Sequence, residues 1–193
     1  MAGGSGNSAR RAILEGVRAF GTRGIRLVLA AFVAAAVSLA ARGAQADQSV
    51  IKQPGRHPDY TFEAEPHMFF GFDPPGTRAG SGFGPGFRGT VELVDNGFVK
   101  SINNTVGIGF GADWIAFGND NTAIWVPIVM QWNFWLSRNW SVFGEPGGGF
   151  YLGNATGARP AIYAGGRYHF SEQLALTLRV GYPAVSIGVS FAL

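Results

Sequence analysis

The chain ends with the stretch YPAVSIGVSFAL, residues 182–193, in which apolar residues alternate with small or polar ones. The apolar positions are Val185, Ile187, Val189, Phe191 and Leu193, and the positions between them include Ser186, Gly188 and Ser190. A period of two is typical of a β-strand with one apolar face. Because chain ends usually fray unless an element holds them, the regularity predicts a terminal strand whose last residues the fold requires.

The same period of two recurs in seven further segments between residues 60 and 182, and no segment shows a convincing helical period. Every apolar face in these segments is free of charged residues. The opposite faces carry nine ionisable residues, which are Glu63, Glu65, Arg88, Glu92, Asp113, Glu145, Arg159, Arg167 and Arg179. The pattern predicts eight strands, each with one apolar face and one face that carries the charged residues.

The connections between these segments alternate in length. Short turns are predicted at Asn96-Gly97, at residues 137–139 and at residues 171–173, because each would place strand residues opposite one another. The other connections, at 73–86, 117–120, 153–158 and 183–184, are more varied. Tight turns alternating with outward loops are typical of an even-stranded membrane barrel.

The sidedness of the charges decides between a protein core and lipid. Nine ionisable groups in the core of a soluble sandwich would carry a large desolvation cost, whereas an arginine on the lipid side of a membrane barrel costs about 2–4 kcal/mol at the midplane. The sequence therefore predicts an all-β, eight-stranded, antiparallel, up-and-down transmembrane β-barrel with its charges inside. A secreted β-sandwich with core aromatics is the alternative.

Aromatic residues fall into two groups along the predicted strands. Those near the tight turns are Trp132, Phe134, Trp140, Tyr168 and Phe170, and those near the loops are Phe72, Trp114, Phe150 and Tyr182. Rings of this kind concentrate at both membrane interfaces, so we expect two aromatic belts.

The first 46 residues have the parts of a secretory signal peptide. An arginine-rich segment is followed by an apolar run at residues 27–41 and by Ala44-Gln45-Ala46, a small-x-small cleavage pattern. The run of 15 residues is short of the roughly 20 that a spanning helix needs, which disfavours the alternative of a membrane anchor. We expect a signal peptide at 1–46, a polar lead-in at 47–58 and the barrel at 59–193.

Charge and cysteine content exclude several function classes. Six of the fifteen basic residues lie in the leader, and the remainder of the chain has nine basic and eleven acidic residues, which disfavours nucleic-acid binding. The absence of cysteine excludes disulfides and thiolate chemistry. The three histidines are scattered and are interpreted as ordinary polar residues, so we expect no metal, cofactor or catalytic residue.

The terminal strand resembles the carboxy-terminal signal by which bacterial outer membrane barrels are recognised during assembly. The matching residues are Tyr182, Val185, Ile187, Val189, Phe191 and Leu193, with leucine where the family's final phenylalanine usually stands. The chain is thus similar to the small eight-stranded bacterial outer membrane β-barrel protein family. The resemblance implies a bacterial outer membrane location, a monomer, and partners limited to outer membrane lipid, lipopolysaccharide and the barrel assembly machinery.

Three functional hypotheses follow from these features. The first is a non-enzymatic barrel with a structural or surface-interaction role, whose interior is filled by an ion-paired network. The second is a lipid-modifying enzyme, because His169-Phe170-Ser171 has the His-x-Ser spacing of lipid A deacylases, although no acidic residue follows Glu172. The third is a narrow small-molecule channel. Pro66, Pro127 and Pro146 fall inside predicted strands, and the sequence does not explain how they are accommodated.

Overall fold

The computed structural model describes residues 49–72, 80–117, 121–154 and 156–193. These residues form eight strands, namely β1 (Phe62–Phe72), β2 (Ser81–Val94), β3 (Asn104–Phe117), β4 (Thr122–Trp135), β5 (Trp140–Gly153), β6 (Gly157–His169), β7 (Leu174–Tyr182) and β8 (Ala184–Ala192). Each strand pairs antiparallel with the next, and β1 pairs with β8, so the sheet is a closed barrel. The predicted eight-stranded up-and-down barrel is confirmed, whereas the predicted signal peptide lies outside the described residues.

The described residues contain no helix that is long and apolar enough to cross a membrane.

The two faces of each strand are sorted as the sequence pattern predicts. Outward side chains are apolar and exposed, as at Ile128 (54% exposed) and Ile162 (63% exposed). Inward charged side chains are buried, and Glu145 and Arg179 are 0% and 1% exposed. A barrel that dissolves in water has the opposite arrangement, with charges outside and apolar groups inside.

The hydrogen-bonded register sets the tilt of the strands. Stepping across paired residues from Val106 through all eight strands leads back to β3 at Ala116, ten residues further along. The path runs through Val106, Trp132, Gly144, Ala164, Val180, Val185, Phe70, Phe83 and Ala116. With a rise of about 3.3 Å per residue and about 4.8 Å between strands, this displacement corresponds to a tilt of about 40°, which is normal for closed barrels.

Two of the three predicted tight turns are confirmed. Leu136 donates its backbone N–H to Trp140 across residues 137–139 (2.9 Å), and Phe170 donates to Leu174 across residues 171–173 (2.9 Å). At the other end of the barrel, β7 and β8 are joined by Pro183 alone, and its carbonyl accepts from the Phe72 N–H (2.9 Å).

The predicted two-residue turn at Asn96-Gly97 is wrong. The strands β2 and β3 are joined by the nine residues 95–103. Asn104 organises this longer loop. Its side-chain amide donates to the backbone carbonyls of Val99 and Ile102 (2.8 Å each), and its backbone carbonyl accepts from the Gly97 N–H (2.8 Å). These hydrogen bonds stabilise a nine-residue loop where Asn-Gly alone would favour a two-residue turn.

The predicted loop at 73–86 is also too long, since β2 begins at Ser81 and pairs with β1 from there. The three glycines of this segment that lie in β2 have a packing role. A Cβ at Gly86 would collide with the Asp113 carboxylate and the His67 ring. Residues 73–79 and 118–120, and residue 155, lie outside the described residues.

The strand prolines are accommodated by local gaps in the ladder. Beside Pro66, Pro85, Pro127 and Pro146, two consecutive pairs are missing between the proline's strand and one neighbour, and the register resumes unchanged. The ladder with the other neighbour is continuous, as between β1 and β2 at Pro66. A strand residue directs its N–H to only one neighbour, so each proline removes a single donor.

The outward face of β4 offers a test of the surrounding solvent. Ile128 lies in the middle of β4 and points outward. We expect Ile128→Arg to destabilise the folded barrel in lipid vesicles by about 2–4 kcal/mol, because a midplane arginine faces hydrocarbon. The measurement is urea unfolding of vesicle-embedded protein, with Ile128→Leu as the matched control. An arginine variant as stable as wild type would contradict a lipid-facing position.

Candidate functional site: an ion-paired barrel interior

Arg179 on β7 is the most highly connected side chain in the barrel interior. Its Nη1 and Nη2 atoms donate to Glu65 Oε1 and Oε2 at 2.7 and 3.0 Å. Its Nε and Nη2 atoms donate to Glu145 Oε2 and Oε1 at 2.8 and 3.2 Å. One guanidinium thus makes a two-point contact with each of two carboxylates, from β1 and β5, which is the strongest geometry available to such pairs.

The same carboxylates continue into a closed circuit of charges. Arg88 Nη1 contacts Glu145 Oε2 at 3.2 Å, and Arg88 Nη2 lies 4.0 Å from Asp113 Oδ2. His67 Nε2 lies 2.7 Å from Asp113 Oδ1, and His67 Nδ1 lies 3.4 Å from Glu65 Oε1. We call this circuit the ion ring; its members in order are Glu65, Arg179, Glu145, Arg88, Asp113 and His67. The ion ring joins β1, β2, β3, β5 and β7.

Polar side chains from β4 and β8 add hydrogen bonds to the ion ring. Gln131 on β4 donates to Glu145 Oε1 (2.8 Å), and Ser186 on β8 accepts from Arg179 Nη1 (3.1 Å). Ser190, also on β8, donates to Glu65 Oε2 (3.4 Å). Buried carboxylates need such additional donors because ion pairing alone does not satisfy all their lone pairs.

A second ion pair lies beside the ion ring, on the tight-turn side. Arg167 on β6 contacts Glu63 Oε1 through Nη2 at 2.6 Å. The ring of Phe143 lies close to the guanidinium of Arg167 (4.4 Å) and to that of Arg179 (5.2 Å). A phenyl face between two guanidiniums is favourable in a desolvated site, so Phe143 links the second pair to the ion ring.

On the loop side of the ion ring the interior is apolar. A buried cluster there includes Phe69, Ile115, Trp125, Tyr151 and Tyr163. The indole of Trp125 donates to the Tyr163 hydroxyl (3.2 Å) and packs on Tyr151 at 4.6 Å between ring centroids. The described interior therefore has an ionic section and an apolar section, both filled by side chains.

The lead-in covers the tight-turn end. Within it, Val50 donates to the Leu136 carbonyl (3.0 Å) and Ile51 accepts from the Asn103 N–H (2.7 Å). His57 stacks on Trp135 with ring centroids 5.6 Å apart, and Trp135 packs in turn on His169 at 4.6 Å. An open cleft of about 560 Å³ remains beside it, lined in part by Arg56, Arg138 and Glu172.

Seven of the nine predicted lumen residues come together in these two groups of ion pairs. Glu92 and Arg159 do not, because Glu92 lies at the tight-turn end and Arg159 lies near the loop end, where it donates to the Ala158 carbonyl (3.2 Å). Strand alternation indicates the face of a residue but not its height. His67 was missed as a partner, although its position on the face of Glu63 and Glu65 was a usable signal.

The His169-Phe170-Ser171 motif is not assembled as a pair. His169 points inward, and its Nε2 lies 3.0 Å from Ser141 Oγ. Ser171 lies in the turn between β6 and β7, where its hydroxyl accepts from the Gln173 N–H (3.3 Å). Among the described residues, no cluster of histidine and acidic side chains has a geometry suited to a metal ion.

The residues of the predicted assembly signal lie on or beside β8. Val185, Ile187, Val189 and Phe191 point outward from β8, which closes the barrel against β1. Leu193 follows the strand and exchanges backbone hydrogen bonds with Phe62 at 2.8 and 3.2 Å. The seam thus includes the last residue, and recognition by an assembly machinery stays a prediction.

Comparison with known proteins identifies no family for the chain. No protein-family model matches the chain, and no curated protein matches it. Among solved structures the barrel is similar to a de novo designed transmembrane β-barrel, with 16% identity and a TM-score of 0.45 over 74% of this chain and 99% of the design. It is also similar to the Yersinia pestis outer membrane protein Ail, with 11% identity and a TM-score of 0.44 over 68% of this chain and 99% of Ail. At these values the likeness adds no argument to the fold that the ladder itself establishes.

The ion ring makes a quantitative prediction for stability. We expect Arg179→Gln to destabilise the barrel by about 3–5 kcal/mol, because it leaves Glu65 and Glu145 buried with one cation fewer. Arg159→Gln is the matched control, since Arg159 has no carboxylate partner among the described residues, and its effect should stay within about 0.5 kcal/mol. Urea unfolding of both variants in one detergent or lipid provides the comparison. Equal losses of unfolding free energy in the two variants would show that the ion ring does not stabilise the barrel beyond an ordinary inward arginine.

Proposed function

We propose that the chain is an integral barrel of a Gram-negative bacterial outer membrane, monomeric and without catalytic activity, with a structural or surface-interaction role. Its partners are outer membrane lipid, lipopolysaccharide and the barrel assembly machinery. The observation that carries this proposal is the reversed sidedness of the barrel, with exposed apolar side chains all round it and a buried ion ring inside.

The outer surface supports a lipid surrounding. Large exposed apolar side chains occur on every strand, for example Phe70 on β1, Ile128 on β4 and Ile187 on β8. Soluble monomers rarely expose a contiguous apolar patch larger than a few hundred square ångströms, whereas these side chains encircle the barrel. The nine-residue strands β7 and β8 match the 9–11 residues that a tilted strand needs to span a bilayer.

Aromatic side chains support the same orientation. At the tight-turn end Trp132 packs against Phe98 (5.4 Å), and Trp140 packs against Tyr168 (5.1 Å). At the loop end Phe72 packs edge-on against Tyr182 (6.3 Å). Amphipathic rings favour the two membrane interfaces, so both ends of the barrel would lie at an interface. The end with the two short turns would face the periplasm, since outer membrane barrels have their short turns there.

The filled interior favours a static barrel over a conducting or catalytic one. The ion ring spans the interior in its ionic section, and the apolar cluster fills the section next to it. His169 pairs with Ser141, which leaves the His-x-Ser reading without its defining contact. These contacts support the non-enzymatic reading over the lipid A deacylase and the narrow channel.

Gel migration and fractionation test the proposal as a whole. We expect the protein to be recovered from outer membranes and to migrate differently before and after boiling, because a closed barrel resists detergent until heated. The control is a soluble periplasmic protein processed in parallel. Recovery in the soluble periplasm, or a band unaffected by heating, would contradict a membrane barrel and favour a secreted β-sandwich.

The absence of enzymatic and channel activity needs its own measurement. We expect unchanged lipid A profiles after deletion of the gene and in cells expressing His169→Ala or Ser171→Ala. Purified wild-type protein in planar bilayers should give no conductance steps, because the described interior is filled. A lipid A change in deletion and variant alike would support the enzyme, and discrete steps would support the channel.

A further inference from the structure

We propose that His67 is held as the doubly protonated imidazolium and serves as the fourth cation of a charge-balanced barrel interior. The proposal rests on which atoms surround the imidazole. Its Nε2 lies 2.7 Å from Asp113 Oδ1, and its Nδ1 lies 3.4 Å from Glu65 Oε1 and 3.3 Å from the Glu65 carbonyl oxygen. Ionised carboxylates and carbonyl oxygens only accept hydrogen bonds, so both ring nitrogens must donate.

The charge count of the interior points the same way. The buried charged side chains among the described residues comprise four carboxylates, which are Glu63, Glu65, Asp113 and Glu145, and three guanidiniums, which are Arg88, Arg167 and Arg179. With a neutral His67 this set would carry one negative charge in excess. With an imidazolium it is neutral, and an uncompensated buried charge is avoided.

The surroundings of His67 hold the ring in this position. On its own strand Phe69 lies 6.3 Å away between ring centroids, and Glu65 supplies one carboxylate. From β2 and β8 the neighbours are Gly86 and Gly188, where an added Cβ would collide with the histidine side chain. From β3 the neighbour is Asp113. The cations nearest in the ion ring, Arg88 and Arg179, each lie on the far side of a carboxylate from His67.

His169 provides an internal contrast. It is also buried and also points inward, but its Nε2 contacts the Ser141 hydroxyl at 3.0 Å rather than a carboxylate. It packs on Trp135, and the charged side chain that affects it most is the guanidinium of Arg167, a like charge for any imidazolium. One histidine of the interior is therefore built to carry a charge and the other is not.

The proton on His67 then acts as a structural ligand of the barrel. It completes a closed circuit of alternating acids and bases that links five strands, and it leaves the interior without a net charge that would attract ions from either side. Loss of one of its two protons would leave one ring nitrogen as an acceptor that faces an acceptor oxygen, either Asp113 Oδ1 or Glu65 Oε1.

Nitrogen-15 NMR of the whole folded protein in lipid nanodiscs tests the protonation state directly. At neutral pH we expect both ring nitrogens of His67 to carry protons and His169 to carry one. Assignment comes from spectra of His67→Gln and His169→Gln. A singly protonated His67, with the proton on Asp113 or Glu65 instead, would overturn the proposal.

Charge rebalancing supplies a second, independent test. His67→Gln and Asp113→Asn each unbalance the interior by one charge, in opposite directions, and each should raise the unfolding equilibrium constant about 100-fold. The double variant is neutral again, so it should recover most of that loss, whereas His169→Gln alone should be mild. Additive losses in the double variant would overturn the proposal. If a single variant fails to fold, refolding of the double variant remains the readout, and its failure counts against the proposal.

Discussion

Arg179 can be buried in this barrel only because two carboxylates reach it from other strands. A guanidinium in a dry interior needs both opposite charge and hydrogen-bond acceptors, and Glu65 and Glu145 supply both within 3.2 Å. Those carboxylates come from strands on either side of the interior, so their pairing depends on closure of the sheet. In the closed barrel β1, β5 and β7 face one interior, and there these three side chains meet.

The ion ring explains the glycines beside it, and the strand ladder explains how the prolines are tolerated. Long charged side chains crowd the interior, and Gly86 and Gly188 provide the space that the His67 side chain occupies between β2 and β8. Prolines lose one donor each in an otherwise continuous ladder, and that cost is confined to one neighbour. Residues that usually weaken a strand are tolerated here because the ladder with the other neighbouring strand stays continuous.

The number of strands, their faces and two tight turns were predictable from the sequence, because a period of two leaves a clear pattern. The Asn96-Gly97 turn was predicted wrongly since the competing interaction, the Asn104 amide on loop carbonyls, lies outside the turn itself. The ion ring was predictable only as a set of inward residues. Which of them meet depends on strand tilt and register, so the sequence does not indicate that Glu92 and Arg159 lie apart from the two groups of ion pairs or that His67 joins them.

Alternation alone leaves the register of each strand ambiguous by two residues, because a slip of two restores the same faces. The hydrocarbon core does little to remove this ambiguity, since it accepts aliphatic side chains over most of its thickness. The ion ring can. A two-residue slip of β7 would bring Thr177 or Gly181 to the position of Arg179 and leave Glu65 and Glu145 without their shared cation. The apolar outer face thus requires a lipid surrounding, and the ion pairs of the inner face favour one strand register among those that the outer face allows.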